Sequence, residues 1–310
     1  MALEHGIPII PVFAETLSAP LWLRHLQRLD FSSQADWQGL VQAINQHIQQ
    51  PNASPQPAPT SQPKQPSSAW ASASGDDQYG HYADLNVKGV IQRFRWLSPG
   101  KFLMGSPLSE PERGDDEFLH EVTLSQGFWL ADTACTQALW QAVMGGNPAK
   151  FKETPNNPVE NVSWDDAQGF IKKLNSLAAG LHLRLPMEAE WEYACRAGTG
   201  TRYSFGNDIT KQQVNYNKNV GQTVPVKSLP ANPWGLYEMH GNVWEWCQDW
   251  YGSYPAEPVV DPQGSQSDFF RVLRGGSWFY NGRSCRSADR HRDDPGFRRS
   301  LYGFRLARGL

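Results

Sequence analysis

The chain has 310 residues, 39% of them hydrophobic and 12% aromatic, enough to bury one sizeable core and a smaller element. Its 28 basic and 31 acidic residues leave a formal net charge of −3, so no whole-chain field recruits nucleic acid or an anionic membrane. There is no apolar run of membrane-spanning length and no basic, apolar and small-residue succession at the N-terminus. These features predict a soluble, cytoplasmic protein that binds neither nucleic acid nor membrane.

In chain order, Ile7 to Phe13 is a short strand-type run with prolines suited to a sheet edge, and Trp37, Leu40, Val41, Ile44 and Ile48 recur at helical spacing. The succession Ile9-Ile10-Pro11-Val12-Phe13, Pro20-Leu21-Trp22-Leu23 and Leu29-Asp30-Phe31 resembles the last strand and last helix of a TIR domain. Residues 1–50 are therefore read as a TIR-like C-terminal fragment or a docking extension, and no activity is carried over. Residues 51–81 follow as a linker, because six prolines between Pro51 and Pro66 and the polar run Ser74-Gly75-Asp76-Asp77 cannot bury enough apolar surface to repay ordering.

The domain from 82 to 310 alternates brief strand-like runs, turns and a few helices, which is an α+β class with much irregular structure. Gln92 to Leu97, a Ser98-Pro99-Gly100 turn and Phe102 to Met104 read as a β-hairpin. Ser163 and Asp166 form a capping box before a helix whose inner face is Trp164, Ala167, Phe170, Ile171, Leu174 and Leu177. A second helix follows Pro186, with Trp191, Ala194 and Cys195 inward. In Leu181-His182-Leu183-Arg184-Leu185 the alternation turns His182 and Arg184 away from the leucines, toward solvent. Cys135, Cys195, Cys247 and Cys285 are far apart, without zinc spacing, and read as buried free thiols.

Five segments in order carry a family likeness: Phe102 to Ser106 (FLMGS), Pro158 to Trp164 (PVENVSW), Arg184 to Tyr193 (RLPMEAEWEY), Gly235 to Trp246 (GLYEMHGNVWEW), and Arg274 to Trp278 (RGGSW) with Gly303-Phe304-Arg305. Together they resemble the formylglycine-generating-enzyme, or sulfatase-modifying factor, branch of the C-type lectin-like fold. Met187 stands where that family usually has a capping threonine.

The enzymes of the family resemble one another in a close cysteine pair after the Gly-Gly-Ser segment, two soft thiolates that hold copper(I) for oxygen activation. Here the interval Phe279 to Cys285 holds Cys285 alone. The likeness therefore implies a domain that binds rather than catalyses, without copper; the alternative is a formylglycine-generating-type oxidoreductase acting on protein cysteine, with an altered metal site. A related branch, the sulfoxide synthases, depends on iron-binding histidines from a preceding helical bundle, which the upstream residues do not offer. The likeness further implies calcium, held by the Glu238 side chain, the Gly241 and Val243 carbonyls and the Glu245 carboxylate, oxygen ligands that suit a hard cation. Glu245 also reads, on burial alone, as a core acceptor for N–H groups. A second family calcium loop falls near Asn215, Tyr216 and Asn219.

The tail from Phe279 to Tyr302 combines aromatics with small polar groups, as antibody loops do. Phe279, Tyr280, Asn281, Arg283, His291, Phe297 and Tyr302 are the expected contacts to an unidentified ligand or protein. In a subgroup of this fold, diversity-generating retroelements vary the corresponding segment by mutating adenines of asparagine codons. Lys, Glu, Gln, Met and Trp, which that process cannot make, are absent from this interval. An ordinary family tail of solvated Arg and Asp pairs is the other reading.

Overall fold

A computed structural model describes residues 68–266 and 268–309. The expected strand, helix and TIR-like likeness of residues 1–50, and the linker as far as residue 67, lie outside the described residues.

Among the described residues, thirteen short strands fall into three sheets. The largest is ordered β1-β2-β3-β6-β13-β7 and comprises β1 (Ala73–Asp77), β2 (Gly80–Val87), β3 (Val90–Leu97), β6 (Phe128–Ala131), β13 (Ala307–Arg308) and β7 (Leu183–Arg184). A four-stranded sheet, β11-β10-β8-β12, joins β11 (Arg290–Asp293), β10 (Arg271–Arg274), β8 (Trp244–Trp250) and β12 (Tyr302–Gly303). The third, β4-β5-β9, joins β4 (Gly100–Met104), β5 (His120–Leu124) and β9 (Val259–Val260).

Two expectations are corrected. Residues 73–81, placed in the linker, include β1 and the start of β2, which pair antiparallel from Ala73↔Asp84 to Asp77↔Gly80. The expected hairpin forms both of its strands but not their pairing: β3 bonds to β2 and β6, while β4 bonds to β5 in another sheet. The Pro99-Gly100 corner thus moves the chain from one sheet to the next.

The helices follow the local signals. The first, α1 (Gln137–Met144), is capped by the Thr136 hydroxyl, which accepts from the Leu139 amide at 3.1 Å. Helix α2 (Trp164–Asn175) opens on the expected capping box: Ser163 Oγ accepts from the Asp166 amide at 3.1 Å and Asp166 accepts from the Ser163 amide at 2.9 Å. At the head of α3 (Glu188–Arg196) only half of that arrangement survives, because Met187 has no hydroxyl; its amide donates to Glu190 at 2.8 Å. His182 is exposed between buried Leu181 and Leu183, but through a left-handed backbone at φ +46° just before β7 rather than through strand alternation.

One core cluster packs α1 and α2 against the largest sheet through Phe94, Trp129, Trp140, Phe170 and Phe304, with Trp140 and Phe170 stacked at 5.2 Å. A second lies under α3, around Trp191, Leu236, Met239 and Val272. Both meet the four-stranded sheet, whose middle strands are therefore held from either side. No described helix is long and apolar enough to cross a membrane.

Candidate functional site

Buried arginines and acids, several of them from the five segments, build the scaffold. Arg305 grips Glu245 through Nε at 2.6 Å and a second nitrogen at 2.8 Å, and the Trp191 indole donates to the same carboxylate at 2.7 Å. Arg274 bonds Glu192, Arg290 holds Glu188 at 2.7 and 2.9 Å, and Arg286 holds Glu117 at 2.5 and 2.7 Å. All are buried, so each charge is matched where solvent cannot match it. The Gly-Gly-Ser turn is equally constrained. Gly275 and Gly276 sit at φ +96° and +76°, and a Cβ on Gly276 would lie 2.6 Å from the Cys285 sulfur.

From that turn the chain emerges onto a surface. Phe279 is 41% and Phe297 44% exposed, Asn281 and Arg283 are exposed, and Tyr280 and His291 are half-buried. Trp278 fixes Phe279 edge-on at 5.5 Å, and Tyr280 packs edge-on to buried Trp244 at 6.0 Å. His291 lies over Trp244 at 5.0 Å and its Nε2 is 3.1 Å from the Tyr302 hydroxyl. Burial lowers the imidazole pKa and keeps the ring neutral. Tyr302 itself is a correction: at 1% exposure it is core, edge-on to Trp246, and its hydroxyl donates to Asp293 at 2.8 Å. The parallel pairing of β12 with β8 turns it inward, which alternation within the tail does not reveal.

Two members of the face went unread in the sequence. Lys218 lies over the Phe279 ring at 4.1 Å, and the Asn217 and Lys218 amides donate to the Tyr280 and Trp278 carbonyls at 2.6 and 2.7 Å. Trp244 supplies the floor. Only the fold joins the loop at 215–219 to the tail, so nothing local marked Lys218.

The calcium ligands fit unevenly. Glu245 is taken by Arg305 and Trp191, so the partner its burial demands is a guanidinium. Glu238 is under-partnered: it accepts only long bonds from the Lys227 and Leu229 amides, 3.2 and 3.4 Å, and burial raises its carboxyl to about 7. At the second loop, the buried Asn215 and Asn219 side-chain oxygens have no hydrogen-bond partner. Orphaned oxygens of that kind suit a hard cation.

Cys285 ends a 3-10 turn, Gly282–Cys285, wholly buried, and burial pushes its thiol pKa far up. Cys195 approaches the same place: its sulfur is 3.7 Å from His240 Nε2, while His240 Nδ1 donates to the Cys285 carbonyl at 2.7 Å. His240, its pKa lowered to about 4 by burial, also accepts from the Ser204 hydroxyl at 3.0 Å. All four cysteines are free and buried.

Three sheets with few helices, a buried arginine–acid lattice and a tail presented on top define a C-type lectin-like domain of the formylglycine-generating type. Residues 86–310 match the sulfatase-modifying factor enzyme 1-like domain, and the chain belongs to that family. It is 38% identical over 229 residues to the formylglycine-generating enzyme of Streptomyces coelicolor, covering 64% of this chain and 70% of the enzyme. It is 45% identical over 159 residues to the serine/threonine-protein kinase pkn1 of Chlamydia caviae, covering 50% of this chain but only 24% of the kinase. Among solved structures it resembles Treponema denticola variable protein 1, with a TM-score of 0.68 at 30% identity, covering 74% of this chain and 99% of that one.

Proposed function

We propose that residues 279–302, with Lys218, form a non-catalytic recognition face for a ligand or protein partner. The observation that carries this reading is the contrast within one short segment: Phe279 is held out on a fixed scaffold while Cys285 is buried and protonated. Aromatic anchors on rigid supports bind at low entropic cost, whereas a reactive thiol must be accessible and near its thiolate form. The resemblance to a protein named a variable protein supports a diversified tail, with Asn281 as the surviving template residue type. Four buried free thiols suit a reducing compartment, in line with a cytoplasmic location.

The test is a partner screen with the whole chain and with a Phe279→Ala, Phe297→Ala variant. A partner bound by the wild type and lost to the variant at unchanged melting temperature supports the face; a large melting loss shows the rings to be structural. The oxidoreductase reading predicts conversion of a sulfatase-type cysteine peptide with copper and oxygen. Turnover abolished by Cys285→Ser would overturn the non-catalytic reading.

The same proposal includes structural calcium, carried by the orphaned oxygens of Asn215 and Asn219 and by Glu238. Calcium should raise the melting midpoint over chelator, and Asn215→Ala should abolish the difference. Equal midpoints in the wild type remove calcium from the account.

A further inference from the structure

At the other end of β8 from Trp244, on the order of 20 Å along the strand, a cavity of about 570 Å³ opens beside Trp250. Of residues 279–302 only buried Arg290, which is not one of the exposed contacts of the recognition face, lines it. Its outer walls are Tyr254, Pro255, Pro258, Val259, Val260 and Pro262, an apolar and aromatic lining of the size that holds a small organic molecule. Its inner wall carries two carboxyls, an imidazole and one guanidinium.

Four ionisable groups line that inner wall: Glu188, Asp249, His120 and the Arg290 guanidinium. Glu188 is matched by Arg290 and receives the Tyr254 hydroxyl at 2.9 Å, so its charge and its donors are complete. Asp249 is buried too, accepts the Glu188 amide at 2.7 Å, and makes no ion pair among the described residues. His120 is 5% exposed, its ring 4.8 Å from Tyr254. Its Nδ1 donates to the Phe118 carbonyl at 2.9 Å, which leaves Nε2 as an acceptor with no partner among the described residues. The cavity therefore holds one carboxyl more than its cations match, and an imidazole nitrogen waiting for a donor.

We propose that this cavity is a second binding site, taking a primary ammonium group carried on a small apolar or aromatic body. An ammonium brings three donors and one positive charge, which are what Asp249 and His120 lack, and aromatic faces such as Tyr254 and Trp250 attract it. A carboxylate ligand would meet Glu188 and Asp249 at the inner wall. A neutral one would leave Asp249 in its protonated form and gain nothing from its charge.

The electrostatics of the cavity agree. Burial, then the charge of Glu188, raises the Asp249 carboxyl to about 8; the Glu188 amide hydrogen bond opposes that rise and Glu190 on α3 adds to it, while the nearby cation Arg271 on β10 is sandwiched between the Trp164 and Trp250 rings at 3.8 and 3.4 Å. An ammonium ligand takes the place of the proton that Asp249 otherwise carries.

Calorimetric titration of the whole chain with phenethylamine, against 2-phenylethanol of the same shape, tests this. The amine should bind saturably and the alcohol at least about tenfold more weakly, since a matched buried charge is worth more than a tenfold factor. Asp249→Asn, which keeps the shape and an acceptor for the Glu188 amide, should weaken amine binding by about tenfold or more. Val260→Trp, at a position 64% exposed on the mouth, should block binding at unchanged melting temperature. If Asp249→Asn does not fold, Val260→Trp decides. Equal binding of amine and alcohol, binding undiminished in Val260→Trp, or no saturation by the amine up to on the order of 10 mM would overturn the proposal.

Discussion

A buried charge is settled by whichever partner reaches it first, and in this domain the partners are arginines. The need of Glu245 for a partner is legible between two tryptophans, but Arg305 lies 60 residues away and only β12 brings it alongside. Breaking such a pair strands the other charge, so Arg305→Gln should cost about 3–5 kcal/mol in urea unfolding, and calcium should not restore it. Asp249 behaves oppositely to a paired acid. Its folded carboxyl, raised to about 8 from 3.8, takes up a proton on folding. That contribution is full below about pH 4 and lost as pH rises toward 8. Asp249→Asn removes the decline, so relative to the wild type the variant should gain up to about 1.4 kcal/mol per pH unit between pH 5 and 7. His240, lowered to about 4, works in the opposite sense between 6.5 and 4, and referring the variant to the wild type cancels its effect.

Elements built from local signals were legible; those built from distant pairing were not. The capping box of Ser163 and Asp166 and the inner face of Ala167, Phe170, Ile171 and Leu174 set α2 within a dozen residues of chain, but Leu177, expected on the same face, lies past the helix end at Asn175 and is 51% exposed. The strands on either side of Pro99 were visible as strands. Their partners were not, because β3 closes on β6 across the intervening β4 and β5, and an alternating pattern does not name the strand opposite. The recognition tail shows the same limit: the exposed positions 279, 281, 283 and 297 were readable from composition, while nonlocal contacts turn Tyr302 into core and bring Lys218 to the face. Helix α3 offers a direct test at this scale. Its first turn has Glu190 in place to bond the Met187 amide but lacks the reciprocal hydroxyl. Met187→Thr should supply it and stabilise the domain by about 0.5–1 kcal/mol; an unchanged or lowered urea midpoint would show that Met187 packing outweighs the cap.

For the molecule as a whole, the boundary of the folded unit is where composition misleads most. Ser74-Gly75-Asp76-Asp77 has the polarity of a linker, yet β1 is an edge strand with water on much of its surface, so it needs no apolar residues to stay in place. Its anchor is Trp70, edge-on to Phe94 at 5.2 Å and to Trp129 at 5.7 Å, with Arg308 over its ring at 5.3 Å. Arg95 and Arg93 tie β1 down further through Asp77, at 2.6 and 3.5 Å. A chain shortened to begin at residue 68 keeps all of these contacts and should melt with the midpoint of the full domain. One beginning at residue 82 loses Trp70, β1 and the Asp77 pairs, leaves β2 as a bare edge and strips Trp70 from the fully buried Trp129. Trp70 alone is worth about 2 kcal/mol of burial, which lowers the midpoint of a domain this size by on the order of 5 °C, and the new edge should aggregate on heating. Scanning calorimetry of the two shortened chains decides it: equal midpoints would return residues 68–81 to the linker, and a lower midpoint restored by Trp70 in a chain beginning at 68 but not in its Trp70→Ala variant would fix the tryptophan as the residue that closes the core.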